Sequence, residues 1–274
     1  MLLLRFFLVA LIGTILSLCT GLMTFTPVHA LLLLAGNYLA VNVLFVAFWL
    51  LVGAFADQTI PISGRSELCI YSNRVLTTFV CNYCNIHTKV IGKEKLPKDG
   101  RFLFVSNHRS AFDPLAVGSA LSEYEIMFIS KPSNMKIFLV GRPAIRAGYL
   151  PIDRENARNA IRTIQYAADY MKQDFCSIGI YPEGTRTKTG ELLPFHAGSF
   201  KIAQKAEAPM VIACTQGGEQ AAKNAPFRPT NMTITILEVL SAEQVKAMSS
   251  NELAEHTRGV IKAQIDRTEG EKNL

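Results

Sequence analysis

Within residues 1–56, Arg5 is the one position occupied by Lys, Arg, Asp or Glu. Such a stretch cannot be the surface of a water-soluble domain, so the chain divides before any motif is read. Two apolar runs fill it, about 6–23 and about 30–55, separated by Thr24-Phe25-Thr26-Pro27-Val28-His29. At 1.5 Å of rise per residue, each run is about long enough for a hydrocarbon core of ~30 Å. The break holds a proline, which disfavours a continuous helix. The expectation is a membrane helical hairpin over residues 1–56. Lys and Arg bias sets its orientation: the turn has none, whereas Arg5, Arg65 and Arg74 flank the spans, which puts both ends on the cytoplasmic side. A cleavable signal peptide is the rival, with Val28-His29-Ala30 as a loose cleavage site. A second apolar run follows at once, so a secreted soluble product is not expected. A hairpin lying in one leaflet is a looser variant, given Asn37 and Asn42 in the second run.

Residues 57–274 read as one catalytic-sized domain. The whole chain is 49% apolar with a net charge of +6, and nearly all of the charge lies beyond the anchor. A moderately basic domain behind an apolar anchor suits anionic headgroups or phosphorylated substrates, with ordinary variation in surface charge as the plainer alternative, and no feature points to nucleic acid. The six cysteines are scattered, which favours a reducing compartment. Cys81-x2-Cys84 followed by His87 is half of a zinc spacing. No second pair follows it, so no metal site is expected.

Residues 66–85 predict an amphipathic helix with Leu68, Tyr71, Val75 and Phe79 on one stripe. Strands are predicted at 86–91, 102–105, 126–129, 177–181, 209–215 and 233–239. Helices lie between them: one opens at Pro114 behind Asp113 as its cap. Another starts at Asp153, with Ala157, Ile161, Ile164, Ala168 and Met171 as its stripe, and a last one follows a Ser249/Glu252 capping box. This alternation predicts an α/β fold, a mixed sheet with helices on both faces.

Two polar loops follow strands, where the sites of open α/β sheets gather. The first holds His108 and Asp113. A histidine accepts a proton near neutral pH, and a carboxylate on its far nitrogen fixes the tautomer and stabilises the imidazolium. The plainer alternative is a helix cap beside an unrelated loop histidine. The second loop is Tyr181-Pro182-Glu183-Gly184-Thr185-Arg186, otherwise a tight turn with an exposed arginine. Between them Gly148–Arg154 places Arg154 at a helix start that favours anions, with Arg158 and Arg162 on a solvated face. No Gly-x-Ser-x-Gly elbow is present, which disfavours a serine hydrolase.

Asn107-His108-x4-Asp113, Gly148–Arg154, Pro182-Glu183-Gly184-Thr185-Arg186 and Ala208–Ile212, in this order, resemble the four motifs of the glycerolipid acyltransferases. The resemblance is to the 1-acyl-glycerol-3-phosphate acyltransferases, the lysophosphatidic acid acyltransferases of bacterial type, over about residues 60–240. It implies that His108 is a general base oriented by Asp113, and that an acyl thioester of acyl carrier protein or coenzyme A is the donor. It implies an acceptor site of Lys131, Arg154, Glu183, Gly184, Thr185 and Arg186, with lysophosphatidate as acceptor. No cofactor or metal is implied, because direct transfer from a thioester needs neither. Another acceptor, such as glycerol 3-phosphate, another lysophospholipid or a lyso-aminolipid, stays open, as does a non-catalytic lipid-binding protein.

Overall fold

The computed structural model describes residues 2–20, 26–55, 66–137, 141–153, 155–187 and 190–272. Two apolar helices come first, α1 (Leu2–Cys19) and α2 (Pro27–Phe55). They pair through a polar contact: Asn37 Nδ2 donates to Thr14 Oγ1 (3.1 Å), whose own proton goes to the Ala10 carbonyl (2.8 Å). Leu4, Leu8, Ile12, Leu16, Leu31, Leu39, Val43 and Leu44 point outward. Among the described residues, α2 alone is long and apolar enough to cross a membrane, whereas the apolar stretch of α1, Leu4–Cys19, is shorter. Of the two runs expected to be long enough to cross, the described residues therefore show one. Pro27 does not sit in a break but opens α2, where its missing N–H costs nothing.

The remaining elements are α3 (Glu67–Tyr83), β1 (Ile86–Ile91), β2 (Leu103–Ser106), α4 (Asp113–Ala120), β3 (Ile126–Ser130), α5 (Gly141–Ala147), β4 (Leu150–Pro151) and α6 (Ala157–Lys172). After them come β5 (Ser177–Ile180), α7 (Lys201–Ala206), β6 (Met210–Gln216), α8 (Ala221–Asn224), β7 (Thr230–Leu240), α9 (Ala242–Ala247) and α10 (Ser250–Lys272). The strands form one seven-stranded sheet in the order β1-β7-β6-β2-β5-β3-β4. All neighbours run parallel except β6 and β7, so the sheet is mixed. Its central strands are continuous apolar runs because both faces are covered. On one face Leu103, Val105, Met210 and Ile212 meet Ala167 and Met171 of α6, Ile202 of α7, Val245 of α9 and Ile261 of α10. On the other, Phe104, Phe128, Val211, Ala213 and Ile234 meet Val117 of α4 and Leu121 just after it.

The expected stripe of α3 is not its buried face. Leu68 and Tyr71 are 54% and 65% exposed, and the domain instead buries Cys69, Ile70, Ser72, Asn73, Thr77 and Cys81. Small and polar side chains suit that face because α3 lies close on its neighbours, as where Asn73 Nδ2 reaches the Met127 sulfur at 3.6 Å. Farther along the stripe, Phe79 packs at a tilt on Phe45 (4.7 Å) and lies near Phe6 (6.0 Å), which ties α3 to the two apolar helices. In α6 the cap is Asn156, which accepts from Asn159 N, and Asp153 accepts instead from Glu155 N in the preceding turn. Ile161 of the expected stripe is 64% exposed. The Ser249/Glu252 box is present at α10, with reciprocal bonds of 3.2 and 2.7 Å.

Candidate active site

Strands β2 and β5 are parallel neighbours with Val105 opposite Ile180. The loops that leave their carboxyl ends, 107–112 and 181–187, therefore emerge side by side. Asn107 starts the first, and its amide continues the ladder beyond the strand: Nδ2 donates to the Thr215 carbonyl (2.9 Å) and Oδ1 accepts from Thr215 N (2.8 Å). A side chain with both a donor and an acceptor in one plane can do this, which fits the choice of Asn just before the histidine.

His108 Nδ1 lies 2.9 Å from Asp113 Oδ2. Because the partner is a carboxylate acceptor, Nδ1 carries the proton and Nε2 keeps its lone pair. The same Oδ2 accepts from Arg109 N (2.8 Å) and Ser110 N (2.7 Å), and the Asp113 side chain is 1% exposed. The carboxylate thus turns back into its own loop. Asp113 is not the expected N-cap; Phe112 precedes the helix and makes no side-chain cap bond. Asp113 Oδ1 is buried without a hydrogen-bond partner among the described residues, against Gly218. A Cβ on Gly218 would lie 3.1 Å from that oxygen and 2.7 Å from Met232 Cε, so a side chain there would crowd both.

Glu183 joins the two loops. Its Oε1 accepts from His108 N (2.6 Å) and its Oε2 from Leu193 N (3.0 Å). Burial pushes its carboxyl above the usual carboxylate range, and these two N–H bonds pull the other way. Gly184 has φ +73°, the left-handed turn conformation that favours glycine, and its N–H closes the turn on the Tyr181 carbonyl at 3.0 Å. Thr185 and Arg186 follow, both exposed at the open edge. Lys131, also exposed, stands just after β3 on the same edge. Arg154 lies outside the described residues. His108, Asp113, Glu183 and Gly184 are thus brought together, while Lys131, Thr185 and Arg186 rim them.

Two arginines that the motifs do not single out also shape the site. Arg109 is held by Glu219 (3.1 Å), Glu269 (3.4 Å) and the Gly190 carbonyl, so a cation beside the histidine is occupied in bracing the loop. Arg258, on α10, donates to the carbonyls of Leu192 (3.2 Å) and Leu193 (3.3 Å), steadying the segment that Glu183 grips. No local sequence pattern marks either. Among the described residues the cysteines form no disulfide, and burial pushes the Cys81 thiol up to about 12. His87, the histidine of that half zinc spacing, is exposed on β1 and bonded to Asn85 Oδ1 at 2.8 Å.

A layered mixed sheet with a buried carboxylate–histidine pair at its carboxyl edge is accompanied by a match to the family model described as Acyltransferase over residues 87–215. The similarity runs to proteins named 1-acyl-sn-glycerol-3-phosphate acyltransferase. That of Salmonella typhimurium is 27% identical over 169 residues, covering 61% of this chain and 67% of the relative. That of Saccharomyces cerevisiae is 28% identical over 177 residues, covering 63% and 58%. A chloroplast relative from Brassica napus is 34% identical over 125 residues, covering 45% and 36%. The match therefore spans between about a third and two thirds of these relatives' own lengths. The crystal structure of PlsC from Thermotoga maritima, a 1-acyl-sn-glycerophosphate acyltransferase, shares the fold, with a TM-score of 0.59 at 20% identity over 83% of this chain and 96% of that one.

Proposed function

We propose that this chain transfers a fatty acyl group from an acyl thioester to the sn-2 hydroxyl of 1-acyl-glycerol 3-phosphate, giving phosphatidic acid. The observation that carries the reading is the histidine whose Nδ1 is held by a buried carboxylate at 2.9 Å, at the open edge of an acyltransferase fold. His108 Nε2 takes the proton of the acceptor hydroxyl as its oxygen attacks the thioester carbonyl. The tetrahedral adduct collapses, the carbon–sulfur bond breaks, and the imidazolium returns the proton to the departing thiolate. Asp113 stabilises the imidazolium in between. Histidine suits the task because its proton affinity lies near working pH.

Lys131, Arg154 and Arg186 receive the acceptor phosphate as charge-assisted donors, and Gly184 and Thr185 shape the adjoining rim. Both Glu183 oxygens already accept backbone N–H groups, so its role in this scheme is to hold the two loops in register rather than to bind the glycerol. The donor carrier is acyl carrier protein or coenzyme A. The outward leucines of α1 and α2 support seating in lipid, and the Lys and Arg bias around them supports a cell (inner) membrane location with the catalytic domain on the cytoplasmic side.

The test supplies membranes containing the full chain with radiolabelled acyl thioesters of both carriers. Lysophosphatidate is offered against glycerol 3-phosphate, other lysophospholipids and a lyso-aminolipid. Phosphatidic acid as the dominant product supports the reading, and selective acylation of another acceptor overturns it. Cleavage of residues 57–274 by protease outside intact cells would reverse the topology.

A further inference from the structure

We propose that Tyr181 is a positioning residue for His108, fixing the tilt of the imidazole that Asp113 alone leaves open. The Tyr181 ring lies flat on the His108 ring, 4.2 Å between centroids and 10° between planes. A single in-plane hydrogen bond to Nδ1 restrains the ring along one direction only, and it can still rock about that bond. A flat aromatic face removes the rocking motion. The two restraints are perpendicular, and together they aim Nε2.

The stack has a built foundation. Phe128 on β3 backs Tyr181 at 5.1 Å and 10°, making three parallel layers. Phe128 is paired across the sheet with Gly179, and a Cβ on Gly179 would come within 2.5 Å of the Phe128 ring. Glycine at that position opens the space in which Phe128 lies. The Tyr181 hydroxyl is buried and has no hydrogen-bond partner among the described residues, and burial pushes it well above the usual phenol range. An unpaired hydroxyl does not bind the site together, so the ring face is the part that acts.

This inference rests on His108 being the base, and the experiment separates the two. The full-length chain in lipid nanodiscs carries labelled histidine, and the His108 ring signals are assigned by their loss in His108→Ala. Ring current from Tyr181 places those signals upfield of the other four among the five histidines. Tyr181→Phe keeps the upfield position and a kcat close to wild type. Tyr181→Leu loses it, and kcat falls about ten- to a hundredfold with the acceptor KM little changed, as a misaimed base would produce. Gly179→Ala and Phe128→Leu disturb the stack from behind and give intermediate losses, so the idea stays testable should Tyr181→Leu not fold. A folded Tyr181→Leu with the signal displaced and kcat unchanged overturns the inference. A Tyr181→Phe as impaired as Tyr181→Leu does so too, by assigning the work to the hydroxyl. Retained activity in His108→Ala instead sinks the base itself.

Discussion

The loop that carries His108 and the segments that carry Lys131 and Arg186 leave the same edge of the sheet, but they are built in opposite ways. Around His108 the backbone and side chains are tied repeatedly: Asp113 Oδ2 gathers three donors, Glu183 clasps His108 N, and Asn107 extends the β6 ladder. Lys131 and Arg186 stand exposed at the rim. The contrast suits the physics of the two tasks proposed for them. Proton transfer needs a heavy-atom approach within a few tenths of an ångström. Attraction between a cation and a phosphate acts over several ångströms and tolerates many side-chain positions.

Substitution can break that contrast, most severely at the histidine. His108→Ala should cut kcat about 10²–10⁴-fold, as loss of a general base does. Its melting temperature should barely move, because Asp113 keeps two backbone donors. Asp113→Asn should also slow turnover while staying folded, since an amide oxygen can accept the same N–H bonds but cannot stabilise imidazolium. Near-normal turnover in both variants would reduce the pair to loop structure.

Arg186→Ala should raise the acceptor KM about ten- to a hundredfold with donor KM unchanged, the consequence of losing one charged hydrogen bond. Arg186→Lys should recover part of it, because the planar fork is lost. An unchanged acceptor KM would move the phosphate off this rim. Asn107→Ala tests the rigid side differently. It strips two partners from buried Thr215 backbone groups and should cost about 1–3 kcal/mol, seen as a melting temperature several degrees lower. A melting curve that overlays the wild type would show the ladder extension to be dispensable.

The mildest change should be the pH response of Glu183. Its carboxyl is raised by burial, so the native state holds the proton more tightly than the unfolded chain. Its contribution to stability is then full below the unfolded value and declines as pH rises through the raised one. Glu183→Gln removes that slope and also loses one of the two loop bonds, since an amide NH2 cannot accept. In thermal melts across that range, the wild-type melting temperature should therefore fall relative to that of Glu183→Gln as pH rises. A difference that stays constant with pH would mean that Glu183 is ionised as easily as in the unfolded chain.

Much of this was legible from residue order. The strands at 86–91 and 126–129, the α10 box and the alternation that makes a two-faced sheet all follow from local pattern, and the structure repeats them. Errors gathered where packing overrides pattern. The stripe Leu68, Tyr71 reads as a buried helix face, but α3 lies so close to its neighbours that it turns Ser72, Asn73 and Thr77 inward. Asp113 reads as a cap because Pro114 follows it, yet three donors in its own loop hold the carboxylate away from the helix terminus.

What residue order alone determined is whatever depends on short-range chemistry. An apolar run cannot form a wet surface, Gly184 permits a left-handed turn, and His108 with Asp113 offers a base and a carboxylate. What only the tertiary structure decided is which distant groups complete them. Glu183 reaches His108 N, Tyr181 covers the imidazole face, Thr215 receives Asn107, and Arg258 steadies Leu193. These partners are separated by scores of residues: the first three meet because the parallel strands β2, β5 and β6 end at one edge, and Arg258 reaches Leu193 from α10. No local propensity encodes that neighbourhood, since it is created when the sheet buries both of its faces.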